Sequence, residues 1–153
     1  MKAIRWFAPR DMRLVEEPVP VPKPHEALVR IRSVGVCGSD IHYFADGRIG
    51  LQRLTEPTIL GHEYSGIVEA VGNEADPSLV GKRVAVEPGI PCLKCELCRR
   101  GHYNVCTGMS FPGGPGHDGA LREYVAVHAD FCFPIPDTMG FDEAAMVEPL
   151  AVA

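Results

Sequence analysis

The sequence predicts a mainly β domain that carries one loop-rich insertion, residues 88–117. Glycine (16) and proline (14) together make up about a fifth of the 153 residues, which favours short strands joined by turns over long helices. Residues 27–35 alternate apolar and polar side chains, as a strand with one buried and one solvated face does. Four of the six cysteines fall within residues 92–106, inside the insertion.

The alternating run gives the clearest strand. Ala27, Val29 and Ile31 are predicted to face one side of a sheet. Arg30 and Arg32 then face the other side, toward water. Shorter runs of the same kind predict further strands at residues 3–7, 12–16, 64–71, 83–86, 123–127 and 131–133.

Helices and connections follow from proline and from capping residues. Residues 18–24, PVPVPKP, lack the amide donors of a central strand and are predicted to form an extended surface connection. After Cys37, Ser39 or Asp40 is predicted to cap a short helix that runs to Phe44. Residues 141–153 are predicted to begin a helix, whose regularity Pro149 limits.

Composition excludes several classes of protein. A net charge of −5 gives no general basic surface for nucleic acid or anionic lipid. No apolar run approaches the ~18 residues of a membrane span. The first residues show no secretory signal. We therefore expect a cytoplasmic protein whose thiols stay reduced unless a metal holds them.

The insertion carries four cysteines at the spacing C-x2-C-x2-C-x7-C. Tight turns at this spacing let four thiolates converge on one tetrahedral zinc ion with no open position, which is typical of a structural site. Free or disulfide-linked cysteines, and an iron–sulfur cluster, are the alternatives, although the spacing fits neither common ferredoxin pattern. The predicted ligands are Cys92, Cys95, Cys98 and Cys106.

Two further stretches carry residues that bind metals. GVCGSDIHYF, residues 35–44, places Cys37 at the end of the alternating strand, and GHEYSGIVEAVG, residues 61–72, places His62 and Glu63 before another strand. Taken singly, the cysteine predicts a small buried side chain and the His-Glu pair a surface pair.

Taken together, these motifs resemble the zinc-containing medium-chain alcohol dehydrogenases. The GHE run, followed at the family's spacing by Gly66, Gly72 and Ala75, is similar to the zinc signature of that family. The family also has a Cys-Gly-Ser-Asp motif upstream and a four-cysteine lobe downstream, in this order. The resemblance covers the chain to its last residues, EPLAVA, and implies a GroES-like, partly open β-barrel with short helices.

The resemblance implies a catalytic zinc with Cys37 and His62 as ligands. Glu63 is implied either as a direct ligand or as a carboxylate close behind the metal. Glu148 stands where the ethanol-type branch has a cysteine, which resembles the polyol branch, including sorbitol, xylitol and idonate dehydrogenases. There the glutamate approaches the zinc directly or through water. Cys132 matches no ligand and is predicted to pack in a strand.

The resemblance also implies roles around the metal. Ser39 would take the proton of the substrate hydroxyl, and His42, one helical turn away, would pass it to solvent. Asp40 would accept a hydrogen bond from the free ring nitrogen of His62, and Tyr43 would contact substrate. A helix cap, a capping carboxylate and a core aromatic are the simpler interpretations of Ser39, Asp40 and Tyr43. No role is assigned to His25, His102, His117 and His128.

The sequence contains no dinucleotide fingerprint, because no G-x-G-x-x-G run comes directly after a predicted strand and has an acidic residue about 20 positions on. Family enzymes bind NAD or NADP in a Rossmann domain that follows this point. We therefore expect residues 1–153 to be the N-terminal, catalytic GroES-like portion of a homodimer or homotetramer. We expect it to have little activity alone and an apolar surface near residues 141–153.

The function implied is oxidation of a polyol or secondary alcohol to a ketone, with zinc and NAD(P). A threonine dehydrogenase-like amino-alcohol substrate is one alternative. A non-catalytic zinc module that mediates protein contacts is another, although such a module needs no open metal position. A nucleic-acid-binding zinc ribbon would need a basic surface, which the net charge of −5 does not supply.

Overall fold

The computed structural model describes residues 1–153 and shows a mainly β chain with short helices. Ten strands occur, three of them only two residues long. In chain order they are β1 Lys2–Ala8, β2 Asp11–Glu16, β3 Glu26–Val34, β4 Arg48–Ile49, β5 Gln52–Arg53, β6 Thr58–Ile59, β7 Tyr64–Val71, β8 Arg83–Val86, β9 Tyr124–His128 and β10 Cys132–Pro134. Four α-helices accompany them: α1 Gly38–Asp46, α2 Glu96–Arg99, α3 Phe141–Ala145 and α4 Val147–Val152. Single 3-10 turns occupy Pro77–Leu79, Tyr103–Val105 and Ala129–Phe131.

The strands form three antiparallel sheets. The largest has the order β10-β8-β7-β3-β9, the second β2-β1-β6, and β4 and β5 form a small hairpin. The sheets remain open and do not close into a continuous barrel. This confirms the predicted mainly β class. The predicted partly open barrel consists of these separate, open sheets.

The core lies against the five-stranded sheet, because alternate residues of its strands face inward. Ala27 and Val29 of β3 are fully buried, as their alternation predicts, and Ile31 packs against the same core. The buried members from the other strands are Tyr64, Val68, Val84, Val86, Val125, Val127 and Cys132. This packing holds β3 and β7 together at the centre of the sheet.

Every strand predicted from the sequence is present. Residues 64–71 and 83–86 form β7 and β8 as predicted, and the other predicted strands differ by one residue at one or both ends. The strands β4, β5 and β6 are too short to show alternation and were not predicted. Residues 18–24 form no strand, as the prolines predict.

The helix after Cys37 begins earlier than predicted. Cys37 itself is the N-cap, with an extended backbone (φ −73°, ψ 156°), and Asp40 lies at the third helical position. The predicted N-cap at Ser39 or Asp40 is therefore wrong. The carboxylate of Asp40 reaches back to the Cys37 amide, as the third residue of a capping box does. The helix ends at Gly47, whose left-handed conformation (φ 67°) favours glycine.

The predicted helix in residues 141–153 is two short helices, α3 and α4, joined at Met146. Pro149 lies in the first turn of α4, where its missing amide would have no partner in any case. Large apolar side chains of this region are exposed: Met146, Val147, Leu150 and Val152. This is the apolar surface expected near residues 141–153.

None of the helices is both long and apolar enough to cross a lipid bilayer.

At Gly66 the backbone of β7 lies so close to β3 that no side chain would fit between them. A Cβ atom at this position would lie 2.3 Å from the carbonyl oxygen of Arg30. We predict that Gly66→Ala lowers the free energy of unfolding by about 2 kcal/mol or more, because the clash is with backbone. Thermal or urea unfolding followed by circular dichroism measures the change.

Gly38→Ala is the matched control, because a Cβ atom at Gly38 would meet no atom within 4 Å and would favour α1. Equal destabilisation by both substitutions would contradict the close approach of β7 to β3.

Candidate functional site

The pairing of β3 with β7 brings Cys37, His62 and Glu63 together. Val34, the last residue of β3, pairs with Tyr64, the first residue of β7. Cys37 follows three residues after Val34, and His62 and Glu63 directly precede Tyr64. All three therefore lie beyond the same end of the paired strands. One ligand atom from each lies within 4.8 Å of the others. His62 and Glu63 are each 6% exposed.

Glu63 takes its position because residue 35 has no side chain. The Gly35 amide donates a 2.6 Å hydrogen bond to the Glu63 carbonyl. A Cβ atom at Gly35 would lie 2.2 Å from the Glu63 carboxylate oxygen Oε2. Gly35 therefore leaves the space through which the carboxylate reaches the cluster.

Asp40 connects the two segments that carry the cluster. Its Oδ2 accepts a 3.0 Å hydrogen bond from the Cys37 amide, and its Oδ1 accepts a 2.9 Å bond from the Gly61 amide. The predicted hydrogen bond from the His62 ring to Asp40 is not formed, and the carboxylate oxygens of Asp40 accept backbone amides instead. Asp40 is 4% exposed, and through these two amides it holds Cys37 and the segment that precedes His62 in place.

The cluster opens into a cleft of about 820 Å³. Ser39 and Tyr43, both on α1, line this cleft, as predicted from the resemblance. The Tyr43 ring is buried in a second core cluster with Trp6, Leu54 and Leu60. Burial and the nearby Asp40 charge raise the pKa of Tyr43. Its hydroxyl donates a hydrogen bond to the side chain of Gln52 in β5, 3.2 Å away. Tyr43 is therefore both a core aromatic and part of the cleft wall.

Glu148 on α4 also lines the cleft but lies outside the cluster of three. Burial raises the pKa of Glu148, His62 opposes that rise, and the Glu63 carboxylate adds to it. These influences indicate that both residues are near Glu148. Glu63, rather than Glu148, completes the cluster with Cys37 and His62.

His42 occupies a different environment from the other predicted site residues. Its side chain is exposed on α1, it does not line the cleft, and no hydrogen bond joins it to Ser39.

Several residues of the cleft were not identified from the sequence. Phe111 packs edge-on against the His62 ring, with 5.0 Å between ring centroids and 61° between the planes. Gln52, Arg53 and His117 also line the cleft, although no role was assigned to His117. These residues lie on a short hairpin and on the loop after the four cysteines, and no local period marks such positions. His25, His102 and His128, to which no role was assigned, lie outside the cleft.

The four cysteines of the insertion converge as their spacing predicts. Their sulfurs all lie within 4.8 Å of one another, and none forms a disulfide. The sulfur of Cys95 lies 3.4 Å from that of Cys98 and 3.9 Å from that of Cys106. A tetrahedron with ~2.3 Å Zn–S bonds has sulfurs about 3.8 Å apart, so the observed separations fit zinc.

Backbone amides point at these sulfurs and favour the thiolate form. The Cys95 amide lies 3.4 Å from the sulfur of Cys92, and the Cys92 amide lies 3.2 Å from that of Cys106. The amide of Cys98 lowers the pKa of Cys95 to about 6, whereas desolvation and the neighbouring sulfurs raise that of Cys98 to about 12. Ionising all four cysteines at this density would require a cation between the sulfurs.

The two clusters thus differ in the number of ligands they can offer zinc. The cysteine cluster offers four sulfurs and fits a closed, structural site. The cleft cluster offers sulfur, imidazole and carboxylate from three residues, and it opens into a cavity, which fits a catalytic site with a free position. Cys132 is 4% exposed in β10, and burial raises its pKa to about 12, which agrees with a packing role.

Comparison with known proteins agrees with this geometry. Residues 23–137 match the family described as alcohol dehydrogenase GroES-like domain. Over 152 residues the chain is 44% identical to sorbitol dehydrogenase of Bacillus subtilis, covering 99% of the chain and 43% of that protein. It is 43% identical over 143 residues to D-xylulose reductase A of Aspergillus niger, covering 93% of the chain and 40% of that protein.

A solved structure shares the fold. The crystal structure of an alcohol dehydrogenase (rspB) from Escherichia coli CFT073, complexed with the cofactor NADH, has a TM-score of 0.89 and 34% identity. The match covers 99% of this chain and 43% of that one. The chain therefore spans about two fifths of the length of these relatives.

We predict that the purified chain binds two zinc ions, one in each cluster. Cys37→Ser should reduce this to one zinc per chain, because it removes a ligand of the cleft cluster and leaves the four cysteines intact. Elemental analysis of protein purified without chelators measures the content.

Cys92→Ser is the matched substitution in the other cluster and should also leave one zinc. A content near one in the unsubstituted chain that disappears in Cys92→Ser would contradict a preformed cleft site.

We predict that Asp40→Asn weakens zinc binding in the cleft by about 10- to 100-fold, because an amide nitrogen cannot accept one of the two backbone hydrogen bonds. Competition with a chromophoric chelator measures both zinc affinities. The affinity of the four-cysteine cluster should not change.

Asp76→Asn is the control, because Asp76 also accepts a backbone amide, that of Ser78, far from the cleft. Equal cleft affinity in the two variants would show that Asp40 does not position the metal-binding residues.

Proposed function

Because the chain belongs to the alcohol dehydrogenase GroES-like domain family, we propose that it is the zinc-binding catalytic domain of an NAD(P)-dependent dehydrogenase. The reaction proposed is oxidation of a polyol or secondary alcohol to a ketone. One observation carries the proposal: Cys37, His62 and Glu63 converge at a cleft large enough for a small polyol. A module that only mediates protein contacts would not need such an opening.

We assign two zinc ions to the chain. Cys92, Cys95, Cys98 and Cys106 would hold the structural ion, in a lobe formed by residues 88–117. Cys37, His62 and Glu63 would hold the catalytic ion, and Glu148 would approach from the cleft wall, directly or through water. A zinc ion held in the cleft would act as a Lewis acid and would lower the pKa of a substrate hydroxyl.

The chain's own residues would orient the substrate and move its proton. Ser39 lines the cleft two residues after Cys37, where its hydroxyl can accept the proton of the substrate hydroxyl. His42 follows three residues later on the solvent-exposed side of α1, and we propose it as the next proton acceptor. The Tyr43 hydroxyl, held by Gln52, would contact another hydroxyl of the substrate.

The cofactor proposed is NAD or NADP, since a similar E. coli enzyme is crystallised with NADH. The sequence contains no dinucleotide fingerprint, so we propose that the cofactor is bound by a Rossmann domain like that of the longer family members. We propose a cytoplasmic enzyme, in agreement with the six unpaired cysteines. We also propose that the enzyme is a homodimer or homotetramer.

The proposal is tested by supplying a cofactor domain. We predict that a chimera of this chain with the remaining part of B. subtilis sorbitol dehydrogenase produces NADH from a polyol, and that Cys37→Ser abolishes turnover. NADH absorbance measures both, and the 153-residue chain alone should give no turnover. A folded, zinc-loaded chimera that oxidises neither sorbitol, xylitol nor a secondary alcohol would contradict the proposal.

In the same chimera, Ser39→Ala should lower kcat by about 100-fold or more, because the proton acceptor is lost while every zinc ligand remains. Steady-state kinetics and zinc content check this together. Ser110→Ala is a matched control outside the cleft. An unchanged kcat in Ser39→Ala would show that the proton leaves by another route.

A further inference from the structure

The β4–β5 hairpin places two arginines side by side. Arg48 and Arg53 are direct cross-strand partners, so their side chains leave the same face of the hairpin. Like charges in this arrangement repel each other. Neither guanidinium has a carboxylate within ion-pair distance or a side-chain hydrogen bond. Of the nine other arginines of the chain, four pair with acids: Arg5, Arg13, Arg30 and Arg100.

Arg53 lines the cleft described above, next to Gln52. The Gln52 carbonyl oxygen accepts the Tyr43 hydroxyl, which leaves the Gln52 NH2 group free to donate. His117 lines the same cleft. Gly114, which pairs with His117, lies beside the Tyr43 hydroxyl, since a Cβ atom at Gly114 would be 3.8 Å from it. The hairpin thus brings a cation and a donor into a cleft whose acids, Glu63 and Glu148, come from other elements.

We propose that Arg53, assisted by Gln52, binds an anionic group of the substrate. A planar guanidinium presents two parallel N–H donors that match a carboxylate or a phosphate. An anion bound at Arg53 would also offset the repulsion between Arg48 and Arg53. The substrate class is then a polyol that carries a carboxylate or phosphate at the end remote from the reacting hydroxyl. This inference rests on the proposed function and narrows its substrate.

Three six-carbon probes separate charge from shape: sorbitol, D-gluconate and sorbitol 6-phosphate. Each is titrated into the zinc-loaded 153-residue chain at constant ionic strength, and amide shifts in 15N NMR spectra give the Kd. We expect at least one anionic probe to bind about fivefold or more tightly than sorbitol. The tighter of the two anions identifies the group that Arg53 recognises.

Arg53→Gln should remove this preference, since it deletes the charge and keeps every zinc ligand. Arg53→Lys keeps the charge but not the paired donors, so it should retain only part of the preference for the anionic probe. Lys82→Gln removes one positive charge from an exposed residue outside the cleft and should change the preference by less than about twofold.

Two results would overturn the inference while leaving the proposed function intact. One is equal affinity of the unsubstituted chain for sorbitol and for both anions. The other is an equal loss of preference in Arg53→Gln and Lys82→Gln. Absence of any shift in the amides of the cleft with all three probes would also overturn the inference, whereas the proposed function is tested separately by turnover of the chimera.

Discussion

The antiparallel pairing of β3 with β7 is the constraint on which the cleft depends. Cys37 lies 25 positions before His62 in the sequence, and only the register that pairs Val34 with Tyr64 brings the two together. A slip by one residue would turn alternate side chains to the opposite face of the sheet, so core burial also sets this register. The same packing that stabilises the sheet therefore brings together Cys37, His62 and Glu63, which could hold a metal ion.

The four-cysteine lobe and the cleft are connected through the segment that follows Cys106. The pairing of Ile90 with Ser110 closes the lobe, and the next residue, Phe111, packs against the His62 ring. The same segment continues along the cleft to His117. A metal bound by the cysteines would thus hold a wall of the cleft in place.

The cleft combines groups of opposite charge from different elements. Glu63 reaches it from the start of β7 and Glu148 from α4, whereas Arg53 comes from the β4–β5 hairpin. Acidic groups beside the cluster suit a cation, and the unpaired arginine suits an anion. Under the proposed function, one small molecule would be held at both ends, which would fix its orientation relative to Cys37, His62 and Glu63.

The sequence by itself determined the mainly β class, the bounds of β7 and β8, and the four cysteines of the lobe, because alternation and turn spacing are local. The residues of the cleft cluster were identified by family resemblance. Only the tertiary structure decided that Asp40 binds the amides of Cys37 and Gly61, and that Glu63 rather than Glu148 completes the cluster. It also brought Arg53 into the cleft. These contacts join segments distant in sequence, and their geometry follows from strand register and loop packing, which leave no local pattern.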